Sequence, residues 1–145
     1  MNDLVDQMKV CLASVFAFYL KTHNFHWNVE GPNFPQYHSF LDGLYNDVWE
    51  SVDKFGEEIR TLGSYAPASL SRYQTLSVVD DQLNIPSAIK MIKELEMDNK
   101  RLITELMKTN ALAEKHNCVG LANFLQDRID VHYKHDWMLR SIGKA

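Results

Sequence analysis

The sequence predicts an all-α protein, a bundle of four long helices in which one long crossover joins the second helix to the third. Apolar residues recur at spacings of three and four along four long stretches, as they do in helices that bury one face. Gly and Pro interrupt the pattern between these stretches. The middle connection, from Gly63 to Asn84, is rich in Ser, Pro and Ala and is much longer than the other two.

Length and composition limit the organisation of the chain. With 145 residues, of which 46% are hydrophobic, it is long enough for one domain with a substantial core and too short for two ordinary domains. We therefore expect a single domain over residues 1–145. The longest apolar run, Val10 to Leu20, is shorter than the roughly 20 residues of a membrane span. The first six residues carry acidic side chains where a secretory signal carries basic ones, so we expect a cytoplasmic protein.

The first two helices are separated by a short turn. Helix 1 is predicted from about residue 3 to about residue 28, and helix 2 from about residue 34 to about residue 62. Gly31 and Pro32 break the first helix, because Gly permits backbone angles that a helix forbids and Pro cannot continue one. Gly63 ends the second helix. The apolar positions that define helix 1 are Leu4, Val5, Met8, Cys11, Leu12, Val15, Phe16, Tyr19 and Leu20.

Helices 3 and 4 follow the crossover. Within the crossover, the segment from Ser69 to Leu76 has the length of one or two helical turns. Helix 3 is predicted to begin at Pro86, which the first turn of a helix tolerates, and to end at about residue 116. Gly120 is the next predicted break, after which helix 4 continues to about Ile142. Two short turns and one long middle connection indicate an up-down-down-up bundle of the ferritin-like kind.

Charge and cysteine content argue against nucleic-acid binding and against a disulfide or zinc framework. The net charge is −4, whereas phosphate binding draws on clustered Lys and Arg. Lys9 is the only cation among the first ten residues, and the last six contain Arg140 and Lys144, so neither end is a basic arm. Cys11 and Cys118 have no partner at a zinc-ligand spacing, and we expect both to be reduced structural thiols.

Helix 2 carries two pairs of metal-ligand residue types, and the members of each pair are four positions apart. The pairs are His38 with Asp42 and Asp53 with Glu57, so each pair shares one face of the helix. His26 lies near the end of helix 1, and it returns to the level of His38 if the turn folds the two helices antiparallel. Carboxylates with imidazoles suit Fe, Mn or Zn, and a mixed set with several oxygen donors favours iron redox chemistry over a closed zinc site.

The two pairs cannot bind one metal ion within a single subunit. Residues 42 and 53 are eleven positions apart, which is about 16 Å along the helix axis and about 20° past three full turns. The pairs therefore share a face but lie at opposite ends of it. A second copy of helix 2, packed antiparallel about a two-fold axis, would place the first pair opposite the second pair of the partner subunit. The Glu-x-x-His motif of a site inside one bundle is absent, so we expect a metal site between subunits.

These ligand-type residues stand in one long motif. It consists of Thr22-His23-Asn24-Phe25-His26-Trp27-Asn28-Val29-Glu30-Gly31-Pro32-Asn33-Phe34, then His38, Leu41-Asp42, and Asp53 with Glu57 before Leu62-Gly63. The motif resembles the Dps family, the DNA-protecting mini-ferritins of starved bacteria, and the similarity covers the helical core over nearly the whole chain. It implies a hollow dodecamer in which Fe²⁺ is oxidised, preferentially by hydrogen peroxide, and ferric mineral is stored inside.

The resemblance also assigns roles to individual residues. His26, His38 and Asp42 would come from one subunit, and Asp53 and Glu57 from its two-fold partner. Trp27 resembles the tryptophan that the family keeps beside this site, which implies a role in intercepting radical intermediates. The chain departs from the family at the start of helix 4. There His116-Asn117-Cys118-Val119 replaces the acidic residues that line three-fold iron-entry pores, and the nearest acids are Asp127 and Asp130.

The remaining polar residues are interpreted without a ligand role. Glu58 is expected to pair with Lys54, four positions away, on the surface. His23 lies one turn before His26 and is expected to form a hydrogen bond near the site or to relay protons, rather than to bind metal. Solvated-face positions are expected for Asp47 and Glu50, and surface or interface positions for His132 and His135.

The predicted function is oxidation of Fe²⁺ by peroxide, with storage of the ferric product. Two alternatives from other classes stay open. A DNA-compacting structural protein would need exposed cationic tails. A cell-surface adhesin or receptor-binding mini-ferritin would use the same assembly as a scaffold and could dispense with the metal.

Overall fold

Five helices make up most of the chain in the computed structural model, which describes residues 1–144. Across these residues there is no β-strand, and the all-α, ferritin-like prediction is confirmed. The helices are α1 (Asn2–Asn28), α2 (Phe34–Thr61), α3 (Leu70–Leu76), α4 (Ala88–Lys115) and α5 (Val119–Ile142). Ala145, the last residue of the predicted domain, lies outside the described residues.

The four long helices run up, down, down and up, and the short α3 lies in the crossover between α2 and α4. Contacts between α1 and α4 show that these two helices are antiparallel. Early in α1, Cys11 Sγ lies 3.0 Å from Thr109 Oγ1, whereas late in α1, Lys21 Nζ lies 2.9 Å from Asp98 Oδ2. Short turns make α1 antiparallel to α2 and α4 antiparallel to α5, so the predicted order of directions is confirmed.

The turn between α1 and α2 follows the predicted pattern. Gly31 has a φ of +102°, a conformation that L side chains rarely adopt. Asn33, the N-cap of α2, is also left-handed, with a φ of 64°. Pro35 then occupies the first turn, where its missing N–H has no helical partner to lose. This turn returns the chain so that the start of α2 lies beside the end of α1.

Two predicted helix boundaries are wrong by a few residues. Ser87 is the N-cap of α4, and its Oγ accepts a hydrogen bond from Lys90 N at 3.4 Å, so Pro86 precedes the helix instead of opening it. Gly120 was predicted to break the chain, but it lies in the first turn of α5. Asn117 makes the turn there, since its φ of 58° is left-handed.

The core is formed by the apolar faces of the long helices. Phe18, Phe25 and Phe55 are the largest fully buried side chains, and Phe55 packs edge-on against Phe124 with ring centroids 5.0 Å apart. Burial of such faces is the main favourable term in folding. None of the described helices is long and apolar enough to span a membrane.

Candidate metal centre

His26 and His38 hold each other in place across the α1–α2 turn. Nδ1 of His26 lies 2.8 Å from the backbone oxygen of His38, and Nδ1 of His38 lies 2.8 Å from the backbone oxygen of His26. The two rings are stacked, with centroids 3.8 Å apart and an interplanar angle of 15°. The predicted meeting of these residues is therefore confirmed.

This reciprocal arrangement determines the tautomer of both imidazoles. A carbonyl oxygen only accepts hydrogen bonds, so each Nδ1 carries the proton and donates it. Each Nε2 then keeps its lone pair. Within residues 1–144 neither Nε2 has a hydrogen-bond partner, and neither is among the buried polar atoms that lack one, so both are accessible. A backbone acceptor on one nitrogen and a free lone pair on the other is the usual state of a metal-binding histidine.

Asp42 lies one turn after His38 on α2, and its side chain is exposed. Its charge acts on the nearby His23, where it partly offsets the effects of burial and of His26. Burial and the neighbouring His26 together lower the pKa of His23. Asp42 therefore supplies an exposed carboxylate one helical turn after His38.

Asp53 and Glu57 form a second group, one turn apart on the same helix. Both are exposed, and a hydrogen bond from Glu57 to Asp53, followed by the charge of Asp53, raises the pKa of Glu57. Two adjacent carboxylates that repel each other when both are ionised form a place where a cation is favoured. Asp42, Asp53 and Glu57 are all exposed, so the single subunit loses no folding free energy by burying their charges.

The five predicted ligands form two separate half-sites in one subunit. Asp42 and Asp53 are separated by about 16 Å along α2, given 1.5 Å of rise per residue. Among the described residues, no three His, Cys, Asp or Glu side chains lie close enough together to hold a metal ion. We name the His26, His38 and Asp42 group the histidine half-site, and the Asp53 and Glu57 group the carboxylate half-site.

Aromatic rings pack around the histidine half-site. His23 stacks on Tyr45, with centroids 3.9 Å apart at 10°, and its other neighbour is Trp27, also at 3.9 Å. Tyr19 Oη lies 2.9 Å from Nδ1 of His23, which confirms the hydrogen bond expected near the site. Trp27 itself is 63% exposed. The role of Trp27 as a relay stays a prediction.

The centre of the bundle contains a polar cluster that the sequence interpretation missed. Arg128 donates two hydrogen bonds to Asp47, at 3.1 and 2.9 Å, and His135 Nε2 lies 2.7 Å from the same carboxylate. His132 is fully buried, and its Nδ1 lies 2.7 Å from Asn99 Oδ1. The surface or interface position predicted for His132 is therefore wrong, because this side chain is fully buried within the subunit. Asp47 is solvated only in part, since its side chain is 34% exposed and pairs with Arg128 and His135.

The pKa values in this cluster follow from burial and charge. Burial alone would raise the pKa of Asp47, but the hydrogen bonds from His135 and Arg128 hold it well below its usual range. Burial, and then the charges of Arg128 and His135, lower the pKa of His132 far below its ordinary value. The Arg128 guanidinium supplies a nearly buried cation on α5, and it pairs with the partly exposed Asp47 on α2.

Other predicted residues lie where the sequence placed them. Lys54 Nζ is 2.8 Å from Glu58 Oε1, which confirms the surface pair, and Glu50 is exposed. Both cysteines are free, and burial raises the pKa of Cys11 to about 12, so this thiol is inert at neutral pH. Asp127 and Asp130 are exposed on α5, and their part in a pore stays a prediction.

The chain is similar to known proteins in both sequence and structure. The chain matches the model of the ferritin-like domain over residues 5–144. It is 30% identical to the DNA protection during starvation protein of Brevibacillus brevis over 131 residues, which cover 90% of this chain and 87% of the relative. The structure of Dps from Staphylococcus aureus superposes with a TM-score of 0.95 at 28% identity, covering 100% of this chain and 97% of that chain.

A second solved structure is equally similar. Antigen TpF1 from Treponema pallidum superposes with a TM-score of 0.95 at 28% identity, covering 99% of this chain and 93% of that chain. The matches extend through all five helices, so the half-sites lie in elements that these proteins have in common.

Proposed function

Because the chain belongs to the Dps family of ferritin-like proteins, we propose that it is a ferroxidase that oxidises Fe²⁺ between subunits and stores ferric mineral. The oxidant is hydrogen peroxide, the assembly is a hollow dodecamer, and the setting is the cytoplasm. The observation that carries this proposal is the reciprocal bonding of His26 and His38, which leaves both Nε2 atoms free.

The histidine half-site supplies nitrogen ligands that are already oriented. Stacking and two backbone hydrogen bonds restrict both rings, so little conformational freedom is lost when Fe²⁺ binds. Asp42 adds an oxygen ligand beside them. Three ligands of this kind leave coordination positions open for the oxidant.

The carboxylate half-site supplies the charge that the histidine half-site lacks. Asp53 and Glu57 of the partner subunit would complete a set of three carboxylates and two neutral imidazoles. Such a set neutralises most of the charge of two divalent cations, and carboxylates bridge metal pairs readily. A two-fold axis repeats the arrangement, so each dimer contains two equivalent sites.

The reaction needs two Fe²⁺ for each peroxide. Each Fe²⁺ gives up one electron, the O–O bond breaks, and two protons from solvent complete two water molecules. Peroxide therefore takes both electrons without releasing a hydroxyl radical. The Fe³⁺ produced is hydrolysed, and mineral grows on acidic residues of the interior.

DNA binding is left out of the proposal, although it is part of the name of the Brevibacillus brevis relative. The net charge of −4 opposes attraction to phosphates, and many of the lysines are paired with carboxylates. A scaffold without metal chemistry would not require two stacked histidines that are both held through Nδ1.

Replacing Asp53 tests the proposed function directly. We expect Asp53→Ala to slow the oxidation of Fe²⁺ by hydrogen peroxide about 10- to 100-fold, because one bridging carboxylate is lost. Stopped-flow absorbance of the ferric product measures the rate. Glu58→Ala is the matched control, because Glu58 lies on the same helix but pairs with Lys54. An Asp53→Ala variant as fast as the wild type would refute the assignment. Metal analysis of the purified oligomer would separate a ferroxidase from an inert scaffold.

A further inference from the structure

A guanidinium inside the bundle lies among side chains of the types that bind metal ions. The Arg128 side chain is 10% exposed, and its Nη2 lies 2.9 Å from Asp47 Oδ2 and 3.2 Å from Nε2 of His132. Nε2 of His135 lies 2.7 Å from the same Asp47 oxygen. One carboxylate and two imidazoles therefore surround a single cationic group.

The positions of these side chains resemble those of a metal site within one bundle. Ferritin-like di-iron proteins bind metal through inward-facing carboxylates and through a Glu and a His three positions apart on one helix. Here His132 and His135 have that spacing on α5, and Asp47 reaches them from α2. The donor types fit a divalent metal ion, but the group that they surround is an arginine.

His132 is oriented as a metal-binding histidine is. Asn99 Nδ2 donates a hydrogen bond to the backbone oxygen of His132 at 2.9 Å, so the amide oxygen faces Nδ1 of the ring, at 2.7 Å. Nδ1 therefore carries the proton, and the lone pair of Nε2 accepts a hydrogen bond from Arg128. A partner on the other ring nitrogen orients metal-binding histidines in the same way. An N–H of the guanidinium thus takes the place of the ion.

The contacts of Arg128 do not satisfy all of its donors. Its Nε is buried and has no hydrogen-bond partner among the described residues. A buried donor without a partner lowers stability. A buried ion pair can also be replaced in many proteins by apolar side chains of similar volume without loss of stability. Stability alone therefore does not account for an arginine at this position.

We propose that Arg128 excludes metal ions from the interior of the subunit by occupying the position of a cation among Asp47, His132 and His135. Its charge neutralises that of Asp47, and it would repel a divalent ion that came close. This inference goes beyond the proposed function, because it concerns residues outside both half-sites. Arg128 thereby determines where this bundle does not bind metal.

Burial does not keep ions away from this cluster. A cavity of about 500 Å³ lies between α2 and α5, and Asp47 and His135 form part of its lining. Lys134 also lines the cavity, but its side chain is exposed, so solvent and salt screen its charge. Ions can therefore approach Asp47, and the nearly buried charge of Arg128 is what opposes their binding.

Metal binding by variants of Arg128 tests the proposal. Arg128→Ala removes the guanidinium and leaves space, whereas Arg128→Gln removes only the charge and keeps a donor that can reach Asp47. We expect each variant to bind about one more Co²⁺ per subunit than the wild type. His135 now donates its Nε2 proton to Asp47 and must give up this proton before it can bind the ion. Equilibrium dialysis counts the ions, and the visible absorption of Co²⁺ reports the nitrogen and oxygen ligands.

Two further variants serve as controls. Arg128→Ala combined with His132→Gln should bind no more Co²⁺ than the wild type, because the oriented Nε2 is lost. Arg140→Ala removes another arginine of α5, one that pairs with Asp136, and should bind Co²⁺ as the wild type does. Both half-sites are intact in all of these proteins, so their ions cancel in the comparison.

Thermal unfolding gives an independent measurement. An ion that binds only the folded state stabilises it, so Co²⁺ should raise the unfolding temperature of Arg128→Ala more than that of the wild type. The proposal is overturned if neither Arg128→Ala nor Arg128→Gln binds an additional ion. It is also overturned if His132→Gln alone binds fewer ions than the wild type, since the interior would then already hold metal. Absence of Fe²⁺ oxidation by the wild type would count against the proposed function alone.

Discussion

His132 is a fully buried imidazole whose surroundings oppose a positive charge. It contacts Arg128 and Asn99, its ring lies 5.2 Å from that of His135, and Phe18 packs edge-on against it. Burial, followed by the charge of Arg128 and the neighbouring His135, lowers its pKa well below the ordinary value of 6.5, and the charge of Asp47 offsets this only in part. In the unfolded chain the same residue takes up a proton near pH 6.5. The unfolded state therefore binds more protons than the folded state below this pH.

This difference predicts how stability depends on pH. Stability is full above pH 6.5 and falls as the pH drops, by about 1.4 kcal/mol for each unit. We expect His132→Gln to flatten this dependence between pH 6.5 and 5, as measured by urea unfolding. The same slope in His132→Gln and the wild type would contradict the account.

At this scale the sequence predicted some residues and missed others for a physical reason. His26 and His38 were predictable, because a short turn between two helices places their ends together. The burial of His132 was also accessible in principle, since it continues the buried spacing of Leu121, Leu125 and Arg128 on α5. Its partners were not predictable. Asn99 lies on another helix, α4, and its contact with His132 depends on how the two helices are rotated.

Among the elements, α1 and α4 are joined by a buried ion pair. The Lys21 and Asp98 side chains are 5% and 3% exposed and lie 2.9 Å apart. A buried charge that loses its partner is costly, whereas an apolar pair of similar volume is tolerated. The pair therefore fixes the register of α1 against α4.

We expect Lys21→Met to lower the free energy of unfolding by about 3 kcal/mol, because the buried Asp98 then keeps only the looser contact with Arg101, whose Nη1 lies 3.7 Å from Oδ1. Adding Asp98→Leu should recover most of the loss. Urea unfolding of the two variants gives the comparison, and Lys54→Met, which breaks an exposed pair, should have a much smaller effect. A double variant no more stable than Lys21→Met would contradict this account.

The helices themselves were predictable because their apolar spacing extends over many turns. Helix 2, predicted over about 34 to 62, is Phe34–Thr61 in the structure. The prediction errors lie at the helix ends, because a single capping residue determines where a helix begins or ends. Ser87 is the N-cap of α4, so this helix begins after Pro86. The turn between α4 and α5 is made by Asn117, and not by Gly120. Such choices depend on one or two hydrogen bonds, which periodicity does not report.

For the whole molecule, the central claim is that each metal site is completed by a second subunit. The eleven positions between Asp42 and Asp53 predict this from the sequence, because no bend in α2 brings the two half-sites together. Assembly is then a condition of catalysis. A subunit alone contains half of two sites and the whole of none.

Complementation between two inactive variants tests this claim most directly. One variant carries His26→Ala with His38→Ala, and the other carries Asp53→Ala with Glu57→Ala. Each should assemble and should oxidise Fe²⁺ at least about tenfold more slowly than the wild type. In a dimer that contains one subunit of each kind, one metal site keeps all five ligands and the other keeps only Asp42.

Coexpression with two different tags and sequential purification isolates the mixed assemblies. We expect stopped-flow oxidation of Fe²⁺ to recover a substantial fraction of the wild-type rate in them, but not in either variant alone. Mixed assemblies as inactive as their parents would contradict the account, because they would mean that all the essential ligands act within one subunit.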